Sequence, residues 1–163
     1  MSAQYGRYAY VSPGHIGGFT YYRGRPDTGY IVVDAPPEYL ARVFSYVGRD
    51  VGARVTGIAV NKESFSDADV DLLLEFPAIR ELDLSGTGIT DVSLSRIAEL
   101  RQLVKLDLSH TKVTRQGTRT LGKCKTLREL DLAGTDGNMQ VVEELRTQLP
   151  DCLLFRGGEI GNR

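Results

Sequence analysis

One interval constrains this chain more than any other feature. Residues 79–87 read Ile-Arg-Glu-Leu-Asp-Leu-Ser-Gly-Thr, residues 103–111 read Leu-Val-Lys-Leu-Asp-Leu-Ser-His-Thr, and residues 127–135 read Leu-Arg-Glu-Leu-Asp-Leu-Ala-Gly-Thr. The pairs Leu82/Leu84, Leu106/Leu108 and Leu130/Leu132 stand 24 residues apart, and one step further back stands Ile58/Val60. A fixed period of this size marks a stack of similar units, each too small to bury its own apolar side.

The interior of each unit has two periods. In Leu82-Asp83-Leu84 apolar and polar residues alternate, so the leucines share one face of a strand while Glu81, Asp83 and Ser85 share the other. Further along, the apolar residues fall three apart, as Val70, Leu73 and Phe76, as Leu94, Ile97 and Leu100, and as Thr118, Leu121 and Cys124. Val142, Leu145 and Leu149 follow with a one-residue slip. These are the buried sides of short helices. Ahead of each helix one aligned column holds Ser66, Thr90, Thr114 and Asn138, all side chains able to accept a free N–H of a first helical turn.

A single unit does not fold alone. Its few apolar side chains return at most about 2–3 kcal/mol each on burial, whereas ordering its backbone costs on the order of 1–2 kcal/mol per residue. Stacking supplies the difference by covering both sides of every inner unit. The expected fold is therefore α/β: a short solenoid of about four strand–helix repeats over residues 55–156, with a parallel sheet on the concave face and helices on the convex one.

The rest of the chain is read as accessory to that stack. Residues 1–18, rich in Gly and Tyr, are read as a flexible lead. Residues 19–54 are read as a cap, because an end repeat exposes its core edge. In that cap, 19–23 and 30–34 are strand-like and flank a Gly-Arg-Pro-Asp-Thr-Gly turn, forming a hairpin, and Pro36-Pro37 opens a helix over 38–47. Residues 157–163 are read as a frayed tail. A hydrophobic content of 41% is ample for one core, and a net charge of −1 argues against a general nucleic-acid binder. No stretch approaches the 18 apolar residues of a membrane span, and no apolar segment of signal-peptide type opens the chain. Two cysteines make no disulfide framework, so the expected location is the cytoplasm.

The blocks at 82–91 (Leu-Asp-Leu-Ser-Gly-Thr-Gly-Ile-Thr-Asp) and 106–114 (Leu-Asp-Leu-Ser-His-Thr-Lys-Val-Thr) resemble bacterial leucine-rich repeat proteins of the planctomycete type. The segment 142–152 is similar to the terminal repeat of that family, and 17–22 resembles its lead-in. The resemblance implies protein–protein interaction without catalysis and without a cofactor. A second one points elsewhere: 37–47 is similar to the opening helix of an F-box, which implies a substrate adaptor of a ubiquitin ligase.

The candidate contact surface is the polar side of the strands: Glu81, Asp83 and Ser85, then Lys105, Asp107 and Ser109, then Glu129 and Asp131. Neighbouring strands lie about 4.8 Å apart, so Asp83, Asp107 and Asp131 should form a column of like charge suited to a protein with a basic surface. The chain itself is expected to be a monomer or weak dimer. Three carboxylates in line are also the chemistry of a hard-cation site, but Lys105 stands among them and no metal is assigned. The alternative for each Asp is a bond to nearby hydroxyls and backbone. Cys124 is expected in the core, and Thr87, Thr111 and Thr135 stand where asparagine usually ladders one repeat to the next. Lys112, Arg115, Arg119, Lys123 and Lys125 are expected on a solvated convex face.

Overall fold

The computed structural model describes residues 14–16, 19–23, 29–33, 55–60, 63–136 and 139–156. Its strands are β1 (Gly14–Ile16), β2 (Phe19–Arg23), β3 (Gly29–Val33), β4 (Val55–Val60), β5 (Glu81–Asp83), β6 (Lys105–Asp107), β7 (Glu129–Asp131) and β8 (Leu153–Phe155). They form one sheet in chain order. The pairs β1–β2 and β2–β3 are antiparallel, and every pair from β3–β4 onward is parallel. The register runs Ile58, Leu82, Leu106, Leu130, Leu154, so the interval seen in the sequence is the step from strand to strand.

Strands β5, β6 and β7 are three residues long because each ends on an aspartate that bonds its own chain. Asp83 Oδ1 accepts from the Ser85 N–H at 2.9 Å, Asp107 Oδ1 from Ser109 at 2.9 Å, and Asp131 Oδ1 from Ala133 at 2.8 Å. Such a bond two residues on turns the backbone out of the extended form. The next residue then takes a left-handed conformation: Gly86 at φ 67°, His110 at φ 56° and Gly134 at φ 68°. Glycine adopts this freely, and histidine does so at a cost.

The returns are helical: η1 (Asp67–Glu75, a 3₁₀ helix), α1 (Asp91–Ile97), α2 (Arg115–Thr118) running into η2 (Arg119–Lys123, also 3₁₀), and α3 (Met139–Gln148). Thr90 Oγ1 accepts from the Val92 N–H and Thr114 Oγ1 from the Gln116 N–H, as the cap column requires. Ser66 works differently, since its N–H and hydroxyl both donate to Asp69 Oδ2. A 3₁₀ helix rises further per residue and has its side chains three apart, which is the spacing of Val70, Leu73 and Phe76. In the third repeat Gly117 and Gly122 and the β-branched Thr118 and Thr120 weaken the α form.

The core lies between sheet and helices. Leu82, Leu106 and Leu130 are buried with Leu73, Leu94, Ile97, Leu121 and Leu145 in one continuous apolar cluster. Strand β4 differs from its neighbours, since Val55 and Ala59 on its outer face are as buried as Ile58 and Val60 on its inner face. The open concave face therefore begins at β5.

At the N-terminal side the hairpin pairs Phe19–Arg23 with Gly29–Val33, one residue earlier than the 30–34 expected for its second strand, and β3 joins the repeat sheet through β4. The reading of residues 1–18 as flexible is corrected in part: Gly14–Ile16 is a strand on β2, paired Gly14 to Tyr21 and Ile16 to Phe19. Alternating aromatic and β-branched character marks a strand in sequence, and Gly-His-Ile lacks it, because this strand exists by pairing with β2. The helix expected over 38–47, the cap residue Asn138 and the tail 157–163 lie outside the described residues.

Candidate contact surface

The concave face is built by strand parity. Since Leu82, Leu106 and Leu130 point into the core, the residues on either side of each point away from the helices. One row across the strands is Glu81, Lys105, Glu129, Leu153, and the next is Ala59, Asp83, Asp107, Asp131, Phe155. In the first row Lys105 Nζ meets Glu129 Oε2 at 3.0 Å, with both side chains about half exposed. An exposed pair of this kind adds at most about 1 kcal/mol.

The second row has no base within it. Its three carboxylates stand side by side, each with one oxygen committed to its own turn. Burial pushes the Asp83 carboxyl above the usual carboxylate value; hydrogen bonds from Ser85 lower it, the charge of Asp107 raises it and the charge of Lys105 in the neighbouring row lowers it again. The burial has a structural cause, because Asp83 pairs with Ala59 on the strand whose outer face is covered. Within the candidate set Ser109 is corrected: at 9% exposure it is buried and offers no contact, while Ser85 remains half-exposed. The carbonyl of Ser109 accepts the Gly86 N–H at 2.9 Å, tying one strand-end turn to the next.

The turn threonines act within their own repeats. Thr87, Thr111 and Thr135 donate their hydroxyls to the carbonyls of Leu84, Leu108 and Leu132 at 2.6–2.7 Å, three residues back. Beside them the backbone joins one repeat to the next, with Leu84 N–H to Asp107 O and Leu108 N–H to Asp131 O. Each threonine hydroxyl closes its own turn.

A strand–helix unit repeated in register, with the leucine of each strand over that of the next, decides the architecture. The fold is a leucine-rich repeat solenoid. The family description Leucine Rich repeat matches residues 78–98, which span β5 and α1. No curated protein matches the chain. Among solved structures, a leucine-rich repeat protein of Leptospira interrogans is 20% identical at a TM-score of 0.41, covering 66% of this chain and 33% of its own. An internalin of Listeria monocytogenes is 16% identical at a TM-score of 0.42, covering 75% of this chain and 39% of its own. The chain thus spans well under half the length of either.

The helix side of the solenoid is polar but internally satisfied. Asp67 accepts from the Thr90 N–H at 2.9 Å, from its hydroxyl at 2.7 Å, and from the Ser93 hydroxyl. Burial on its own raises the Asp67 carboxyl, yet the bonds from Ser93 and Thr90 outweigh it and hold the group below the usual value. Asp91 repeats the arrangement with Thr114, at 2.7 Å to the N–H and 2.6 Å to the hydroxyl. The strip expected to be simply solvated is partly tied down: Arg119 and Arg115 both donate to Glu144, whose carboxyl falls to about 2 chiefly through the Arg119 bond. Lys125 Nζ donates to the carbonyls of Gly122 and Gln148.

Neither cysteine is a reactive site by geometry. Cys124 and Cys152 are buried free thiols, and burial raises both, Cys152 to about 11. Among the described residues no group of three His, Cys, Asp or Glu is placed to hold a metal ion, and no helix is long and apolar enough to cross a membrane.

Proposed function

We propose that this leucine-rich repeat chain is a non-enzymatic protein-binding module whose contact surface is the concave sheet face, and that it takes a partner with a basic surface. The observation that carries this reading is the in-register row Asp83, Asp107, Asp131, with no base within it, on the side of the sheet that the helices leave open. Like charges set side by side repel, and Lys105 in the neighbouring row offsets the charge of Asp107 at Asp83 only in part. A cationic partner relieves that repulsion and gains encounter rate from the field. The helix side offers less, because its charges already bond one another across repeats.

The test removes charge and keeps shape. An Asp107→Asn, Asp131→Asn double variant retains an oxygen for each turn N–H. With a partner captured from the native host, the variant should associate more slowly and with a flatter salt dependence, measured by binding rates at two salt concentrations. Unchanged rates, with loss of binding on reversal of Lys112 and Lys123 instead, would place the contact on the helix side.

A further inference from the structure

The chemistry of the concave face changes along the sheet. From β5 to β7 its central row is carboxylate, but on β8 the same two rows end on Leu153 and Phe155. Leu154 between them is buried, so both neighbours belong to the concave side by parity. Leu153 is 49% exposed, and Leu153 and Val92 are the large apolar side chains exposed among the described residues. The face therefore carries an apolar step beside an acidic row.

We propose that the occupant of this face is an extended protein segment lying across the strands, with an apolar side chain seated on Leu153 and Phe155 and basic side chains over the Asp131, Asp107 and Asp83 row. This deepens the concave-face reading and rests on it. The spacing follows from strand geometry. From Phe155 to Asp83 is three strand steps, about 14 Å at about 4.8 Å each. An extended segment advances about 3.3 Å per residue and turns every second side chain to one face. An apolar residue with basic residues at the second and fourth positions after it spans about 13 Å on one face, which covers the row from Phe155 to Asp83. A second copy of the same face is a poor occupant, since a two-fold pairing of the surface brings carboxylates near carboxylates.

Labelled ten-residue peptides test the match by fluorescence anisotropy. One carries Leu-Thr-Lys-Thr-Lys, one the isomer Leu-Lys-Lys-Thr-Thr, and one Ser-Thr-Lys-Thr-Lys, all in the same Gly-Ser flanks. The first should bind the intact chain about fivefold or more tighter than either of the others, the step expected of one partly buried leucine or one misplaced charge. Leu153→Ser should erase the preference for leucine over serine at the first position, whereas Val92→Ser, at the other exposed apolar residue, should preserve it. Equal binding of the three peptides, all weakened by the Asp107→Asn, Asp131→Asn change, would overturn the two-part match and leave the acidic-face reading standing. Binding that the asparagine variant does not weaken, or no binding at all, would overturn both. Leu153-dependent self-association in sedimentation would also overturn the proposal, by naming a second copy as the occupant.

Discussion

The two faces of the solenoid spend the same residue types differently. On the helix side, acids meet donors from the neighbouring repeat: Asp67 with Thr90 and Ser93, Asp91 with Thr114, Glu144 with Arg115 and Arg119. Arg96 likewise joins Asp71 at 2.8 Å across two helices. On the sheet side the aspartates bond only two residues along their own chain, and each faces another aspartate on the next strand. Polar bonds that cross between repeats hold the stack together. Bonds that close within a repeat shape one turn and leave charge free to act outward. The contrast is between acids that clamp neighbouring repeats and acids that close their own turns.

The largest effect should come from the layer both faces share. Leu106→Ala opens a cavity in an inner repeat and should cost about 2–5 kcal/mol in a denaturant melt. A loss as small as that of an exposed substitution would mean that the strand parity, and so the assignment of both faces, is inverted.

Next in size is the bond between repeats. Asp91→Ala leaves the Thr114 N–H and hydroxyl without their carboxylate and should cost about 1–3 kcal/mol. On the opposite face Asp107→Asn keeps an acceptor for the Ser109 N–H and removes a like charge, so its melt should move by less than about 0.5 kcal/mol in either direction. Equal losses from the two substitutions would dissolve the distinction between a clamping and a presenting acid.

A gain is expected where the repeat departs from its own rule. His110 occupies the left-handed position that Gly86 and Gly134 fill in the flanking repeats. His110→Gly should stabilise the chain by roughly 1 kcal/mol, the relief of left-handed strain set against glycine's larger loss of entropy on folding. Gly134 holds φ 68°, which a Cβ disfavours, so Gly134→Ala should destabilise.

The smallest effects are in pH dependence, and they have opposite signs on the two faces. Glu144 has a depressed carboxyl, at about 2 against an unfolded value of 4.5. Its stabilisation is present above 4.5 and is lost as pH falls toward 2. Glu144→Gln should flatten the melt in that window. Asp83 is raised above 3.8, so the folded state binds its proton more tightly, and its contribution is present below 3.8 and lost as pH rises through its folded value. Asp83→Asn should remove that fall. Matching signs from the two variants would show that the faces do not differ in electrostatic design.

Much of this architecture is written in the sequence. The recurrence of Leu82, Leu106 and Leu130 determined the parallel stack and its register, because a strand's period of two and a fixed repeat leave one way to bury every leucine. Likewise, the cap column made α1 and α2 begin where they do, since Thr90 and Thr114 serve their own helices. The 3₁₀ form of η1 was not legible, since Val70, Leu73 and Phe76 have the same spacing as Leu94, Ile97 and Leu100, the row that begins in the α-helical α1. Other properties belong to contacts between residues far apart in sequence. That Asp67 and Asp91 clamp the next repeat, that Ser109 is covered, and that burial raises the Asp83 carboxyl follow from which strand lies beside which and how closely each is covered. Leu153 and Phe155 stand at the same interval from Glu129 and Asp131 as those stand from Lys105 and Asp107, so their parity was legible, whereas the half-exposure of Leu153 beside the acidic row was not. A one-dimensional period says which side chains share a face. Dielectric, burial and hydrogen-bond partnership depend on distance in space, which the tertiary structure alone supplies.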